Sequence, residues 1–103
     1  MRAVWIGMLA VSALFLVATA QASGDLAKNS GCLNCHAVEN KLVGPALKDI
    51  GTKYAGIDGA AAMLAGKIQQ GSNGVWGAIP MPPNTGVSEE NAKVLAEWIL
   101  SLK

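Results

Sequence analysis

The pentapeptide Cys32-Leu33-Asn34-Cys35-His36 governs the interpretation of this chain. Two thiols three residues apart, followed at once by a histidine, form the C-x-x-C-H pattern that is typical of covalent haem attachment. On one helical turn, residues i, i+3 and i+4 share a face. Cys32 and Cys35 can therefore bond to the two vinyl groups of one porphyrin edge, while His36 places an imidazole nitrogen on the iron.

The N-terminus predicts a secretory signal peptide. Met1-Arg2 supplies a positive charge, residues 3–18 are almost entirely apolar, and Ala20-Gln21-Ala22 is a small-residue cleavage site. We therefore divide the chain into a cleaved signal peptide, residues 1–22, and one domain, residues 23–103, which is exported to the periplasm. The alternative is an uncleaved membrane anchor, since the apolar run is nearly long enough to span a bilayer.

The remaining domain is small, with 81 residues once 22 of the 103 are removed. Such a domain buries a small hydrophobic core and often needs a disulfide, a metal or a cofactor for additional stability. A disulfide between Cys32 and Cys35 would close a tiny loop and stabilise almost nothing, whereas a haem offers a large apolar surface to fold around. Seven lysines balance seven acidic residues after Arg2 is removed, and no basic patch indicates nucleic acid binding.

The hydrophobic pattern predicts an all-α domain of about four short helices. The first is expected over Ser23 to Asn34 and the second over Ala46 to Lys53, with Pro45 suited to its first position. The third is expected over Ala60 to Gln70. Ser88 is the expected cap of the last helix. The buried stripe of that helix is predicted to consist of Val94, Leu95, Trp98, Ile99 and Leu102.

Residues 71–87 form a long loop, and such loops in compact domains are usually functional. Met81 lies in this loop between prolines, which stiffen its backbone. A thioether on a rigid loop is a good soft ligand for iron, and a His/Met pair is the ligation that raises cytochrome c potentials. Most methionines only fill cores, and Met63, on the apolar face of a helix, fits that description. Because the chain carries the C-x-x-C-H motif upstream, we predict that Met81 is a second iron ligand in addition to His36.

Four stretches together resemble one family: Cys32-Leu33-Asn34-Cys35-His36, Val43-Gly44-Pro45-Ala46, Gly71-Ser72-Asn73-Gly74-Val75-Trp76-Gly77 and Ile79-Pro80-Met81-Pro82-Pro83-Asn84. The chain resembles the class I c-type cytochromes, and among them the bacterial cytochrome c-551/c-552 (c8) group, over nearly all of residues 24–103. The resemblance implies a small cytochrome c fold with crossing terminal helices wrapped around one covalent haem c. It also implies thioether bonds from Cys32 and Cys35, and axial ligation by His36 and Met81.

The resemblance implies further contacts around the haem. The Pro45 carbonyl would accept a hydrogen bond from the second nitrogen of His36, which orients the imidazole. Trp76 would donate its indole N–H to a haem propionate, although an ordinary core tryptophan is the alternative. Lys67 stands where relatives often carry an arginine that binds a propionate.

Asn84 is expected, by the same resemblance, to form a hydrogen bond near the sulfur of Met81. The alternative from the residues alone is a turn residue after two prolines. Both axial positions would be filled by the protein, which leaves no open site for a substrate. The function implied is a soluble monohaem cytochrome that shuttles single electrons between respiratory complexes or reductases, and not an enzyme.

Redox partner proteins are expected to dock at the exposed haem edge. By resemblance, this edge is ringed by apolar residues, namely Leu33, Leu42, Val43, Pro82 and Pro83. The surrounding lysines that could steer a partner are Lys28, Lys41, Lys48 and Lys53. No stable membrane insertion is expected after cleavage, and a monomer is the default state for a shuttle.

Two other functions fit parts of the sequence. A gas-binding or sensing haem protein would require Met81 to be labile, and the proline-rich loop argues against this. A thiol–disulfide oxidoreductase that uses Cys32 and Cys35 would require a βαβ pattern and a longer chain. A zinc site is weaker still, because His36 is the only histidine and completes only three candidate ligands.

Overall fold

The computed structural model describes residues 22–102 as helices joined by loops. The helical segments are α1 over residues 22–29, α2 (Leu47–Tyr54), α3 (Ala60–Gln70) and α4 (Glu89–Ser101), with a short 3-10 turn at Cys32–Asn34. The predicted all-α architecture is confirmed. The predicted signal peptide, apart from its last residue, lies outside the described residues. Within residues 22–102, no helix is both long and apolar enough to cross a bilayer.

Helix α4 is the centre of the packing, because both α2 and α3 contact it. Its buried face consists of Ala92, Leu95, Ala96 and Ile99. These positions follow the i, i+3, i+4, i+7 spacing of one helical face. Ala27 of α1 is 1% exposed and belongs to the same core cluster. A Cβ built on Gly24 would lie 3.7 Å from Cζ2 of Trp98, so α1 also packs against α4.

The start of α4 is as predicted. The Ser88 hydroxyl accepts a hydrogen bond from the Asn91 backbone N–H at 3.1 Å, which satisfies one of the donors that a helix N-terminus leaves unpaired. The prediction that Val94 is buried is wrong, since this side chain is 38% exposed. Val94 lies off the face defined by Leu95 and Ile99, whereas Trp98 and Leu102 are half-buried against the core.

Two predicted helix ends are wrong for local reasons. Helix α1 ends at residue 29 and not at residue 34, because Gly31 has a φ of 82° and leaves the right-handed helical region. Helix α2 begins at Leu47, because Ala46 has an extended ψ of 136° and acts as the N-cap. Pro45 therefore precedes the helix. The predicted bounds of α3 are confirmed.

A close approach between α2 and α4 depends on Gly51. A Cβ at this position would overlap the Ile99 carbonyl oxygen on α4, which is backbone and cannot rotate away. The two helices therefore approach more closely than a side chain would permit.

We predict that Gly51→Ala lowers the free energy of unfolding by about 1–3 kcal/mol, because the added methyl group forces α2 away from α4. Chemical denaturation measures this change. Gly66→Ala is the matched control, since an added Cβ in the middle of α3 meets nothing within 4 Å. The control is expected to stabilise by about 0.5–1 kcal/mol. Equal responses of the two variants would contradict the close approach.

Candidate haem-binding site

A cavity of about 550 Å³ opens between the helices and the loop that follows α3. Its volume lies in the range of about 300–1,000 Å³ that is usual for small-molecule and cofactor sites. The walls are mainly apolar. The residues predicted to anchor the haem, to bind its iron or to form hydrogen bonds around it all line this cavity, namely Cys32, Cys35, His36, Pro45, Lys67, Trp76, Met81 and Asn84.

The imidazole of His36 is buried, with 8% of the residue exposed. Its Nδ1 lies 2.7 Å from the Pro45 carbonyl oxygen. A carbonyl can only accept a hydrogen bond, so Nδ1 is the donor, and Nε2 is the ring nitrogen that can offer a lone pair to a metal. The expected hydrogen bond is present. Because Pro45 precedes α2, its carbonyl is free of the helical ladder and available to His36.

The loop after His36 is fixed to the start of α2 by backbone bonds. The Leu47 and Lys48 N–H groups donate to the carbonyls of Ala37 and Val38, both at 2.9 Å. The first N–H groups of a helix have no partner within the helix, and no side chain caps the start of α2. The two loop carbonyls therefore accept hydrogen bonds that would otherwise be missing. Gly44 lies directly on the imidazole, since a Cβ there would come within 2.5 Å of the His36 Cε1. The histidine ring is therefore confined from several sides.

The two cysteines lie on the turn that precedes the histidine. The His36 N–H donates to the Cys32 carbonyl at 3.0 Å, which closes this turn. Both thiols are free, with Cys32 half-buried and Cys35 exposed. Burial raises the pKa of the Cys32 thiol above its ordinary value. A raised pKa is the opposite of what an activated redox cysteine requires, so the thiol–disulfide hypothesis gains no support here.

Met81 is held by both of its backbone polar groups. Its N–H donates to the Ser72 carbonyl at 2.9 Å, and its carbonyl accepts from the Ser72 N–H at 3.0 Å, forming an isolated antiparallel bridge. Gly71, with a φ of 80°, permits this pairing, because a Cβ there would lie 2.5 Å from the Met81 carbonyl oxygen. The bridge was not predicted, since no alternating pattern announces a single pair of residues.

The side-chain amide of Asn84 donates to the Ser30 carbonyl at 2.9 Å, a partner that was not predicted. The expected hydrogen bond near the Met81 sulfur stays a prediction. The backbone N–H of Asn84 donates to the Ile68 carbonyl at 2.9 Å. The residue thus ties the end of the Met81 loop both to α3 and to the chain just before Cys32.

Other residues of the cavity were either missed or differently placed. Half-buried Tyr54 and the strongly exposed Ile79 line it and were not predicted. Leu33 was expected at the haem edge, but it packs half-buried against the core and does not line the cavity. Lys41 and Lys67 are the charged residues of the lining. Among residues 22–102, no three His, Cys, Asp or Glu side chains converge as a metal-binding group.

Comparison with known proteins agrees with this geometry. The cytochrome c family profile matches residues 21–103. The chain is 60% identical over 103 residues to cytochrome c-552 of Nitrosomonas europaea, covering 100% of both chains. It is 64% identical over 83 residues to cytochrome c-551 of Ectopseudomonas mendocina, covering 80% of this chain and 100% of that one.

Solved structures lead to the same class. The crystal structure of wild-type Nitrosomonas europaea cytochrome c552 superposes with a TM-score of 0.76 at 65% identity, covering 78% of this chain and 99% of that chain. A class 1 cytochrome from Sideroxydans lithotrophicus superposes with a TM-score of 0.64 at 30% identity, covering 80% and 94%. The class is that of small helical electron-carrier proteins. This chain belongs to the cytochrome c family.

The cofactor of this family is covalent haem c, and the residues present fit it. The cavity is apolar and wide enough, and its walls carry one imidazole and the thioethers of Met63 and Met81, both kinds of ligand that haem iron accepts. Two free thiols stand on the turn before the imidazole. The fold is the small all-α cytochrome c fold, and the protein is a monohaem electron-carrier cytochrome.

We predict that Asn84→Asp lowers the free energy of unfolding by about 1–3 kcal/mol, because a carboxylate cannot donate to the Ser30 carbonyl and would face it unpaired. Chemical denaturation of the haem-loaded protein measures the effect. Asn73→Asp is the matched control, since it makes the same change at an exposed position of the same loop. The control is expected to change stability by about 0.5 kcal/mol or less. A loss no larger than the control's would contradict the tie to Ser30.

Proposed function

We propose that this chain is a periplasmic monohaem cytochrome c that carries single electrons between redox proteins, with His36 and Met81 as axial iron ligands. One observation carries the proposal: His36 and Met81 line one apolar cavity, and each forms hydrogen bonds with a neighbouring residue. His36 is held by Pro45, and Met81 by Ser72. Bound haem supplies the one-electron Fe(II)/Fe(III) couple.

His36 is suited to bind iron through Nε2. The Pro45 carbonyl holds the proton on Nδ1, which leaves the Nε2 lone pair available and raises the basicity of the ring. The thiols of Cys32 and Cys35, on the same turn, would form the two thioether bonds.

Met81 is suited to hold the opposite axial position permanently. Both polar groups of its backbone are bonded to Ser72, so that moving the residue as a whole away from the cavity would break two hydrogen bonds. With both axial positions filled by the protein, no site remains for a substrate or a gas. We therefore favour an electron carrier over an enzyme, and over a gas-binding protein with a labile Met81.

Other residues of the cavity are proposed to contact the haem propionates or to hold the iron ligands in place. Lys67 and Trp76 both line the cavity and reach solvent, as residues that contact propionates must. Pro45 orients His36, and Asn84 holds the end of the Met81 loop through Ser30. A lysine ammonium group cannot form the paired hydrogen bonds that the planar guanidinium group of an arginine forms with a carboxylate. The proposed contact of Lys67 with a propionate is therefore weaker than an arginine at this position would make.

Residues 1–22 are proposed to direct export and to be removed, leaving one domain over residues 23–103 in the periplasm as a monomer. The evidence is the sequence of this segment, with Arg2 ahead of the apolar run and a small-residue site at residues 20–22. Covalent haem attachment outside the cytoplasm also keeps the two thiols from pairing with each other in an oxidising compartment.

The mouth of the cavity is the proposed docking surface for redox partners. Leu42, Val43 and Ile79 line the cavity and are 51%, 54% and 66% exposed. Pro82 and Pro83 are exposed beside them. We leave Leu33 out of this surface because it is half-buried against the core. Brief redox encounters need only a small interface of this kind.

We predict that the exported protein shows a c-type haemochrome with pyridine, low-spin bands, and the weak far-red band of a sulfur–ferric iron bond. Met81→Leu is expected to abolish the far-red band because it removes the sulfur. Met63→Leu is the matched control and is expected to keep the band, since Met63 also lines the cavity but lies on α3 and packs against the core. Optical spectra of both oxidation states measure this, and the mass of the same protein reports cleavage after residue 22.

A covalent haem without the far-red band in the unaltered protein would remove Met81 as ligand and favour the gas-binding alternative. If the band is lost in Met63→Leu and kept in Met81→Leu, the sulfur ligand is Met63, and the proposed role of Met81 is wrong. Absence of haem, with two titratable thiols, would contradict the proposed function as a whole.

We predict that Ile79→Ser slows electron transfer to a protein partner, because it places a hydroxyl group in the apolar contact. Ile57→Ser is the matched control, since Ile57 is 53% exposed but does not line the cavity. Stopped-flow transfer rates measure both, and the rates should depend only weakly on ionic strength. Equal slowing by both variants, or a steep fall with salt, would contradict the apolar docking surface.

A further inference from the structure

Lys53 makes a contact that the proposed function does not use. Its Nζ lies 4.6 Å from the centroid of the Trp76 ring and 5.7 Å from that of the Tyr54 ring. Both distances are within the roughly 6 Å over which an ammonium group is attracted to an aromatic face. Lys53 lies in the last turn of α2, where a positive charge is also favoured by the helix dipole.

The two rings are walls of the cavity, whereas Lys53 itself does not line it. The ammonium group therefore contacts the rings from outside the cavity. It joins the end of α2, through Tyr54, to the loop that carries Trp76. Lys53 is exposed to solvent, so its length and charge are not needed to fill the core.

Trp76 depends on such a contact because its backbone is poorly anchored. Residues 73–80 lie between the two members of the Ser72–Met81 bridge. Within residues 22–102, no backbone–backbone hydrogen bond involves any of them. Trp76 is 38% exposed, so burial alone does not fix its ring. A side-chain contact is then what distinguishes the observed ring position from others that this loop permits.

We propose that Lys53 is a positioning residue that holds the Trp76 ring in place as a wall of the haem cavity. The inference rests on the proposed function, in which the Trp76 indole N–H donates to a propionate. When Lys53 covers the ring, the N–H stays at the cavity and is protected from water. Without this contact, the ring leaves the wall more often and its N–H becomes accessible.

The test is the rate of hydrogen exchange at the Trp76 indole N–H, measured by NMR in the reduced, haem-loaded protein. The resonance is assigned by its absence from Trp76→Phe. We expect Lys53→Gln to accelerate exchange about two- to five-fold, which corresponds to the loss of an exposed cation–π contact. Lys53→Arg should retain the wild-type rate, because a guanidinium group also stacks on aromatic faces.

Lys48→Gln is the matched control, since it removes the same charge from the same helix, and it should leave the exchange rate unchanged. Equal acceleration in Lys48→Gln and Lys53→Gln, or no rescue by Lys53→Arg, would overturn the inference. A wild-type indole proton that already exchanges as fast as free tryptophan would also overturn it. These results leave the proposed function intact, whereas a protein without covalent haem would overturn the proposed function and this inference together.

Discussion

A cavity of about 550 Å³ lies beside a core built largely from small and aliphatic side chains. The walls of this cavity are mainly apolar and open to water, so a bound apolar group that covers them stabilises the folded state by about 25 cal/mol per Å² of apolar surface removed from water. Haem c, the cofactor of the family, is such a group, so binding of the cofactor contributes directly to the stability of this fold.

The ligand-bearing walls are loops, and their geometry depends on a few hydrogen bonds rather than on helical ladders. The Gly44 N–H donates to the Cys35 carbonyl at 2.8 Å and closes the loop around His36. Ser72 fixes Met81 from the other side. Asn84 joins the end of the Met81 loop to the chain just before Cys32 through the Ser30 carbonyl. These bonds hold the two loops without occupying Nε2 of His36 or the sulfur of Met81, which are the proposed iron ligands.

Features encoded by neighbouring residues could be predicted from the sequence. The bounds of α3 and the Ser88 cap follow from local signals. The end of α1 was missed although Gly31, which adopts a positive φ just before Cys32, is a usual signal for a helix end. The Asn84 bond to Ser30 spans 54 residues and could not be predicted, because a side-chain amide has many possible acceptors and only the packed fold selects one.

The electrostatics of the cavity follow from where charges are placed and not from their total. Seven lysines balance seven acidic residues beyond Arg2, yet Lys41 and Lys67 line the cavity and no carboxylate of the described chain does. Two lysines can offset the negative charge of haem propionates. They also act with the apolar walls, since both disfavour the additional positive charge of ferric iron and so favour the reduced state. Propionates that remain exposed act in the opposite direction, so the proposed contacts of Lys67 and Trp76 with the propionates would also affect the potential.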